Sequence, residues 1–359
     1  MGLLMVLVLG GEGAKVVISN VEGRVDVDGR PMDVHDGNIV QWTPGPGQLY
    51  YWYGIGYGLC NDSKWGCDGE FHIGDCGFRV DHAVNLYVSK DLASWRFVGN
   101  VLPADSRPVG IYYRPKVVYN AKTRMYVLWV NLVHKDWIGP NFADTSYVVA
   151  VSPAPEGPFV VSNPSVSTLL HGNPGDFDIL VDDDGSAYLA YDAFNNFHVI
   201  TIEQLTDDYQ ETLGANATSG DVSGLNNEAP MMFKRQGWYY LLFGQCCCFC
   251  RTGSNSQLVV SKSALGPFVD PGVDIDPYSG PYFSGHSVTH GQESFVIQVS
   301  LVNNETGWIF AADRWGSALD GYMGHDLQFW EPLIFNDTTY PPTINTLVWM
   351  DSFTIDIGV

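Results

Sequence analysis

Five segments of the chain open in the same way, with an apolar, β-branched run, a short polar turn and then an aromatic run. They read GNIVQWTPGPGQLYYWYG (37–54), KVVYNAKTRMYVLWV (116–130), DILVDDDGSAYLAYD (178–192), MMFKRQGWYYLLFG (231–244) and SFVIQVSLVNNETGWIFAADRW (294–315). Three units also share an ending: VSKDLASWRF (88–97), VSPAPEGPF (151–159) and VSKSALGPF (260–268). A strand–turn–strand unit that returns every roughly 50–75 residues cannot bury its apolar faces alone and must pack against its own copies. Four short strands per unit, repeated radially, make a propeller, and five units predict an all-β, five-bladed β-propeller. No composition break separates the copies, so residues 21–359 are read as a single propeller domain after an N-terminal segment 1–20. A β-sandwich is the structural alternative, but it leaves the repeat unexplained.

Composition agrees. Eleven Trp, 19 Tyr and 18 Phe stand among 39 Gly and 20 Pro, a mixture that favours short strands and tight turns over long helices. The 18 Lys and Arg against 40 Asp and Glu give a net charge of −22. Binding to nucleic acid or to an anionic membrane needs clustered cations, so both are excluded as partners. Only 16% of residues are charged and 45% are hydrophobic, so the acidity belongs to a protein with a large core and not to a disordered tail.

Several features point outside the cytosol. Residues 2–10 (GLLMVLVLG) are as long as the apolar core of a leader but far shorter than the roughly 20 residues of a membrane span. They are read as a leader remnant or an edge strand. Asn61, Asn216, Asn304 and Asn336 lie in N-x-S/T sequons. Seven cysteines form two clusters, Cys60, Cys67 and Cys76, then Cys246, Cys247, Cys248 and Cys250. The first lies in a Gly- and Asp-rich insertion, where a disulfide would hold a loop that packing cannot. Three consecutive cysteines cannot easily converge on one tetrahedral zinc ion, so the second cluster is read as a structural or vicinal disulfide or as inert thiols before a metal site. A secreted, monomeric protein is the expectation, with no metal or cofactor required.

In a propeller the inner strands line the central channel and their starts converge on one face. The five starts carry His35 and Asp36 (DVHDGNIV), Tyr113 and Arg114 (YYRPKVVYN), Asp176 (GDFDILVDDDG), Glu228 (NNEAPMMF), and His290 and Gln292 (THGQESFVI). One carboxylate at a strand entry commonly satisfies turn amides, but carboxylates at three corresponding repeat positions point to chemistry. Asp182, Asp183 and Asp184 before Gly185 fit an exposed hairpin turn instead. A cleft with several carboxylates and many aromatics, without a phosphate loop, fits glycoside hydrolysis. One carboxyl protonates the leaving oxygen and another activates water, while flat rings hold sugar faces.

The segments RPKVVYN, DILVDDDGSAYLAY, NEAPMMFKRQGWYYL, AADRW and FWEPLIF resemble glycoside hydrolase family 43, and within it the exo-β-1,3-galactanase branch. The resemblance runs from about Asp33 to the C-terminus. It implies that Glu228 is the general acid and that Asp176 tunes the acid and orients substrate. Asp36 stands where most of the family carries the general base, whereas the galactanase branch has a Gly-rich segment there and uses a Gln that Gln292 matches. His35, Tyr113, Arg114, His290 and Gln292 are the expected substrate contacts. Two positions depart from the galactanase pattern, with Ile55 and Tyr113 in place of Glu. The expected activity is exo-acting, inverting hydrolysis of β-1,3-galactan or arabinogalactan-type side chains. The alternatives are an α-L-arabinofuranosidase, β-xylosidase or fructan hydrolase of the same fold, or a catalytically silent carbohydrate-binding propeller.

Overall fold

The computed structural model describes residues 13–45, 47–60, 76–136, 140–214, 217–245, 249, 251–279, 286–302 and 305–358. Among them the repeats form the five blades of a β-propeller. Blade 1 consists of His35–Gln41, Tyr50–Gly56, Ala83–Ser89 and Arg96–Asn100; blade 2 of Ile111–Asn120, Met125–Lys135, Pro140–Ser152 and Val160–Val166. Blade 3 holds Pro174–Val181, Ala187–Ala193, Thr201–Gln204 and Thr218–Asp221. Blade 4 (Asn227–Arg235, Trp238–Gln245, Gln257–Ser261) and blade 5 (Gln292–Ser300, Thr306–Arg314, Leu327–Pro332) have three strands each among the described residues. Near the termini, Gly13–Ser19 pairs antiparallel with Ser352–Gly358.

Aromatic side chains close the ring between blades. Trp52 of blade 1 meets Trp330 and Phe295 of blade 5, with ring centroids 5.4 and 6.2 Å apart. Tyr147 of blade 2 meets Phe177 of blade 3 at 4.6 Å. Each such ring removes about 150–250 Å² from water, which is why the aromatic count and the radial packing go together.

Two features of the inner strands position the site. First, all five carry a break of register at the same place, the end that faces the channel mouth. The breaks fall between His35 and Asn38, Tyr113 and Lys116, Pro174 and Phe177, Glu228 and Met231, and Glu293 and Phe295. A bulge of this kind leaves one residue out of the ladder and re-aims its side chain. In blades 1, 2 and 4 it contains a non-glycine residue in the left-handed region: Asp36 (φ 59°), Arg114 (φ 52°) and Ala229 (φ 55°). Gly37 is required in the first bulge, because a Cβ there would lie 1.5 Å from the Tyr53 carbonyl oxygen.

Second, just below the bulges, one residue from each inner strand joins a hub on the propeller axis. The buried Lys116 ammonium donates to the carbonyls of Gly37 (2.8 Å) and Ser294 (2.6 Å) and lies 3.6 Å from Asp178 Oδ1. Asp178 Oδ2 in turn accepts from the Met232 amide at 2.9 Å.

A disulfide joins Cys60 and Cys76, consistent with the reading of the first cysteine cluster. Cys67, the second cysteine cluster and Asn61, Asn216 and Asn304 lie outside the described residues. No helix among the described residues is long and apolar enough to cross a membrane.

Candidate active site

A cavity of about 510 Å³, open to solvent, lies at the bulged end of the channel. Asp36, Tyr113, Arg114, Asp176, Glu228 and Gln292 all line it, so six of the eight residues expected from the blade starts come together.

Arg114 organises the first half of the cavity. Its Nη2 donates to Asp176 Oδ2 at 2.8 Å, its Nη1 donates to the Glu293 carbonyl at 2.6 Å, and its Nε lies 3.8 Å from Asp36 Oδ1. Burial opposes its charge, but Asp176 and Asp36 hold it protonated well above the ordinary guanidinium range. Asp36 is 3% exposed, its Oδ2 accepts from the Tyr57 hydroxyl at 2.8 Å, and its backbone amide donates to Asp313 Oδ2 at 3.0 Å. Burial, with the charges of Asp313 and Asp176, pushes its carboxyl up to about 6 against the opposing pull of Arg114 and Tyr57. A carboxylate with that pKa is ionised at neutral pH yet basic enough to take a proton.

Glu228 belongs to the second half. It is 5% exposed, and its Oε1 accepts from Gln292 Nε2 at 2.7 Å. Gln292 Oε1 accepts from the Trp315 indole N–H at 2.9 Å. An indole N–H can only donate, so Trp315 fixes which end of the Gln292 amide faces Glu228.

The structure does not bring His35 or His290 to the cavity. His35 is fully buried, with Nδ1 2.9 Å from Asp313 Oδ1 and Nε2 3.1 Å from the Gly324 carbonyl. Burial alone would lower its pKa, but Asp313, helped by Asp33 and Asp326, raises it to about 9. His35 therefore holds Asp313, and Asp313 holds the Asp36 backbone. His290 packs instead against His286 and Trp349, at 3.8 and 4.9 Å between ring centroids. Tyr113 keeps its place in the wall, but its hydroxyl donates to the Gly77 carbonyl at 2.6 Å.

Reading only the strand starts missed Asn131, Asp192 and the aromatic wall of Phe78, Phe142, Phe194 and Phe249. The signal was present: in an antiparallel pair the start of the inner strand lies beside the end of the next. Asn131 is paired with Tyr113, and Asp192 lies between Tyr191 and Ala193, which pair with Phe177 and Pro174. Phe249 sits within the cysteine run. Among the described residues, no group of three or more His, Cys, Asp or Glu is placed to hold a metal ion.

Comparison with known proteins adds three findings. The sequence profile of glycosyl hydrolases family 43 matches residues 68–287. A xylan 1,3-β-xylosidase from Vibrio sp. is 27% identical over 273 residues, covering 71% of this chain and 48% of that protein; the chain thus spans about half the length of this relative. Among solved structures, an exo-β-1,3-galactanase from Clostridium thermocellum superposes with a TM-score of 0.71 at 25% identity, over 96% of this chain and 68% of the other. An exo-β-1,3-galactanase from Phanerochaete chrysosporium crystallised with galactose gives 0.70 at 23% identity, over 95% and 69%.

Proposed function

The chain belongs to glycosyl hydrolases family 43, and from that premise we propose that it is an inverting, exo-acting glycosidase for 1,3-β-linked glycans, with galactan as the leading substrate. The observation that carries this reading is the meeting of Asp36, Asp176 and Glu228, from the bulges of three blades, around one cavity. Glu228 donates a proton to the glycosidic oxygen as its bond to the anomeric carbon breaks. Asp36 takes a proton from a water whose oxygen attacks that carbon from the opposite face. Asp176, paired with Arg114, adds negative charge to the pocket that favours a protonated acid.

Asp36 fits the base role better than Gln292. The Gln292 amide lies 2.7 Å from Glu228 and both its ends are engaged. It stands on the acid's side of the cavity, where a sugar ring cannot fit between the two groups. Asp36 and Glu228 are on blades that are not neighbours, and both line the cavity. The xylan 1,3-β-xylosidase and the exo-β-1,3-galactanase differ in sugar but share the 1,3-β linkage. A 1,3-β-xylan is therefore the second substrate, favoured by the Vibrio relative and by Asp36.

The test is incubation with β-1,3-galactan, β-1,3-xylan, arabinan and fructan, followed by NMR. Release of monosaccharide as the α-anomer from a 1,3-β-linked polymer is expected. First appearance of the β-anomer overturns inversion. Binding without release from any polymer supports a silent carbohydrate-binding propeller instead.

A further inference from the structure

Asp192, on the second strand of blade 3, lines the cavity at 1% exposure. Its Oδ2 lies 2.6 Å from His198 Nδ1, while its Oδ1 is buried without a hydrogen-bond partner among the described residues. Asp36, Asp176 and Glu228 likewise have a protein donor on one oxygen, from Tyr57, Arg114 and Gln292, but among the cavity carboxylates of the described residues only Asp192 has a buried oxygen with no partner. A buried carboxylate oxygen without a donor is destabilising, and an incoming hydroxyl removes that cost.

The surroundings hold this oxygen in place. His198 has left-handed backbone (φ 55°), as does Phe197 before it (φ 60°). Two consecutive residues of this kind are strained and are pinned from both sides: the His198 amide donates to the Ala193 carbonyl at 3.0 Å, and its carbonyl accepts from Asn227 at 2.7 Å. Its ring stands edge-on to Phe194 at 4.7 Å, and Phe194 lies 4.9 Å from Phe142. Residue 175 must be glycine for the same reason, since a Cβ there would come within 2.6 Å of Asp192 Oδ2. Burial pushes the Asp192 carboxyl up to about 6 against the opposing pull of His198.

We propose that Asp192 is a specificity-determining residue whose Oδ1 accepts a hydrogen bond from one ring hydroxyl of the bound sugar, with His198 as its positioning residue. The proposal rests on the glycosidase reading, because it names the group that reads the sugar. A site built to bind a hydroxyl rejects the analogue that lacks it far more strongly than an apolar pocket does.

Direct binding, with no turnover needed, tests it. Wild type, Asp192→Ala and Asp192→Asn are titrated by calorimetry with D-galactose, D-xylose and L-arabinose, and with the monodeoxy derivatives of whichever binds best. The expected result is a roughly 10–100-fold loss for Asp192→Ala, with one deoxy derivative that binds the variant and wild type equally. His198→Ala is expected to lose roughly 10-fold, and His198→Asn, whose amide nitrogen falls near Nδ1, to regain most of it. Asp192→Asn keeps the shape of the site, so the comparison stands even where Asp192→Ala folds poorly. Unchanged affinity in a folded Asp192 variant overturns the assignment and leaves the glycosidase reading intact. Failure of the wild type to bind any of the three sugars overturns both.

Discussion

The inner strands have two ends of opposite character. At the mouth every ladder is broken by a bulge, three bulges hold left-handed side-chain-bearing residues, and carboxylates are packed around Arg114. At the foot the same strands run in unbroken register and line a larger space of about 1110 Å³ with Ile39, Val117, Ile179, Phe233 and Val296, joined by Trp308 from the second strand of blade 5. The two cavities share no lining residue. Size therefore does not mark the chemistry in this molecule; strain and buried charge do. The blade repeat builds five equivalent strands, and their bulged ends turn that scaffold into a site.

The comparison breaks most sharply if the residues at the mouth prove dispensable. Glu228→Gln and Asp36→Asn are each expected to cut turnover by roughly 10²–10⁴-fold, the scale of general acid–base catalysis, whereas Gln292→Leu costs roughly 10-fold. Monosaccharide release measures all three. Because Asp36 must be ionised to act and burial holds it near 6, kcat/KM should fall as pH drops through about 6. A profile flat down to pH 4.5 removes Asp36 from the base role.

The hub between the two ends comes next. Lys116→Met leaves Asp178 and two carbonyls buried without their cation, and should cost about 3–5 kcal/mol in urea unfolding. Ile179→Val at the foot should cost about 1 kcal/mol. Equal losses would erase the distinction between hub and foot.

The His35–Asp313 pair sharpens the contrast through pH. The folded-state pKa of His35, about 9, lies above its unfolded value. Its contribution is therefore complete below about pH 6.5 and disappears as pH rises through about 9, a loss of about 3 kcal/mol. Thermal melts of wild type and His35→Gln across pH 6–10 should converge at the alkaline end. The smallest effect is expected at the foot, where Gln298→Ala should change kcat/KM by less than roughly twofold, in line with surface substitutions away from a site.

The blades were legible because the same order of apolar run, polar turn and aromatic run returns five times, and five repeats admit few packings. Asp36, Arg114, Asp176 and Glu228 were legible because equivalent repeat positions converge. His35 was misplaced because adjacent residues of a bulged strand point to different sides: Asp36 faces the cavity and His35 faces Asp313. Asp192 was passed over because it ends a strand instead of starting one, and only the register shows that the two places adjoin. Lys116 stands two residues after Arg114, but nothing in RPK says that its ammonium reaches the carbonyls of blades 1 and 5.

Lys116 and Asp178 tie all five strands together below the carboxylates, which gives the upper cavity a floor. For a glycosidase with such a floor, a sugar cleaved from the chain end is expected to depart on the side from which it entered. On the proposed exo-acting reading the shortened polymer must leave first, and each cleavage is then expected to be a separate encounter. Chain lengths in a digest would then shrink together as a single drifting population, without an untouched fraction standing beside fully digested molecules.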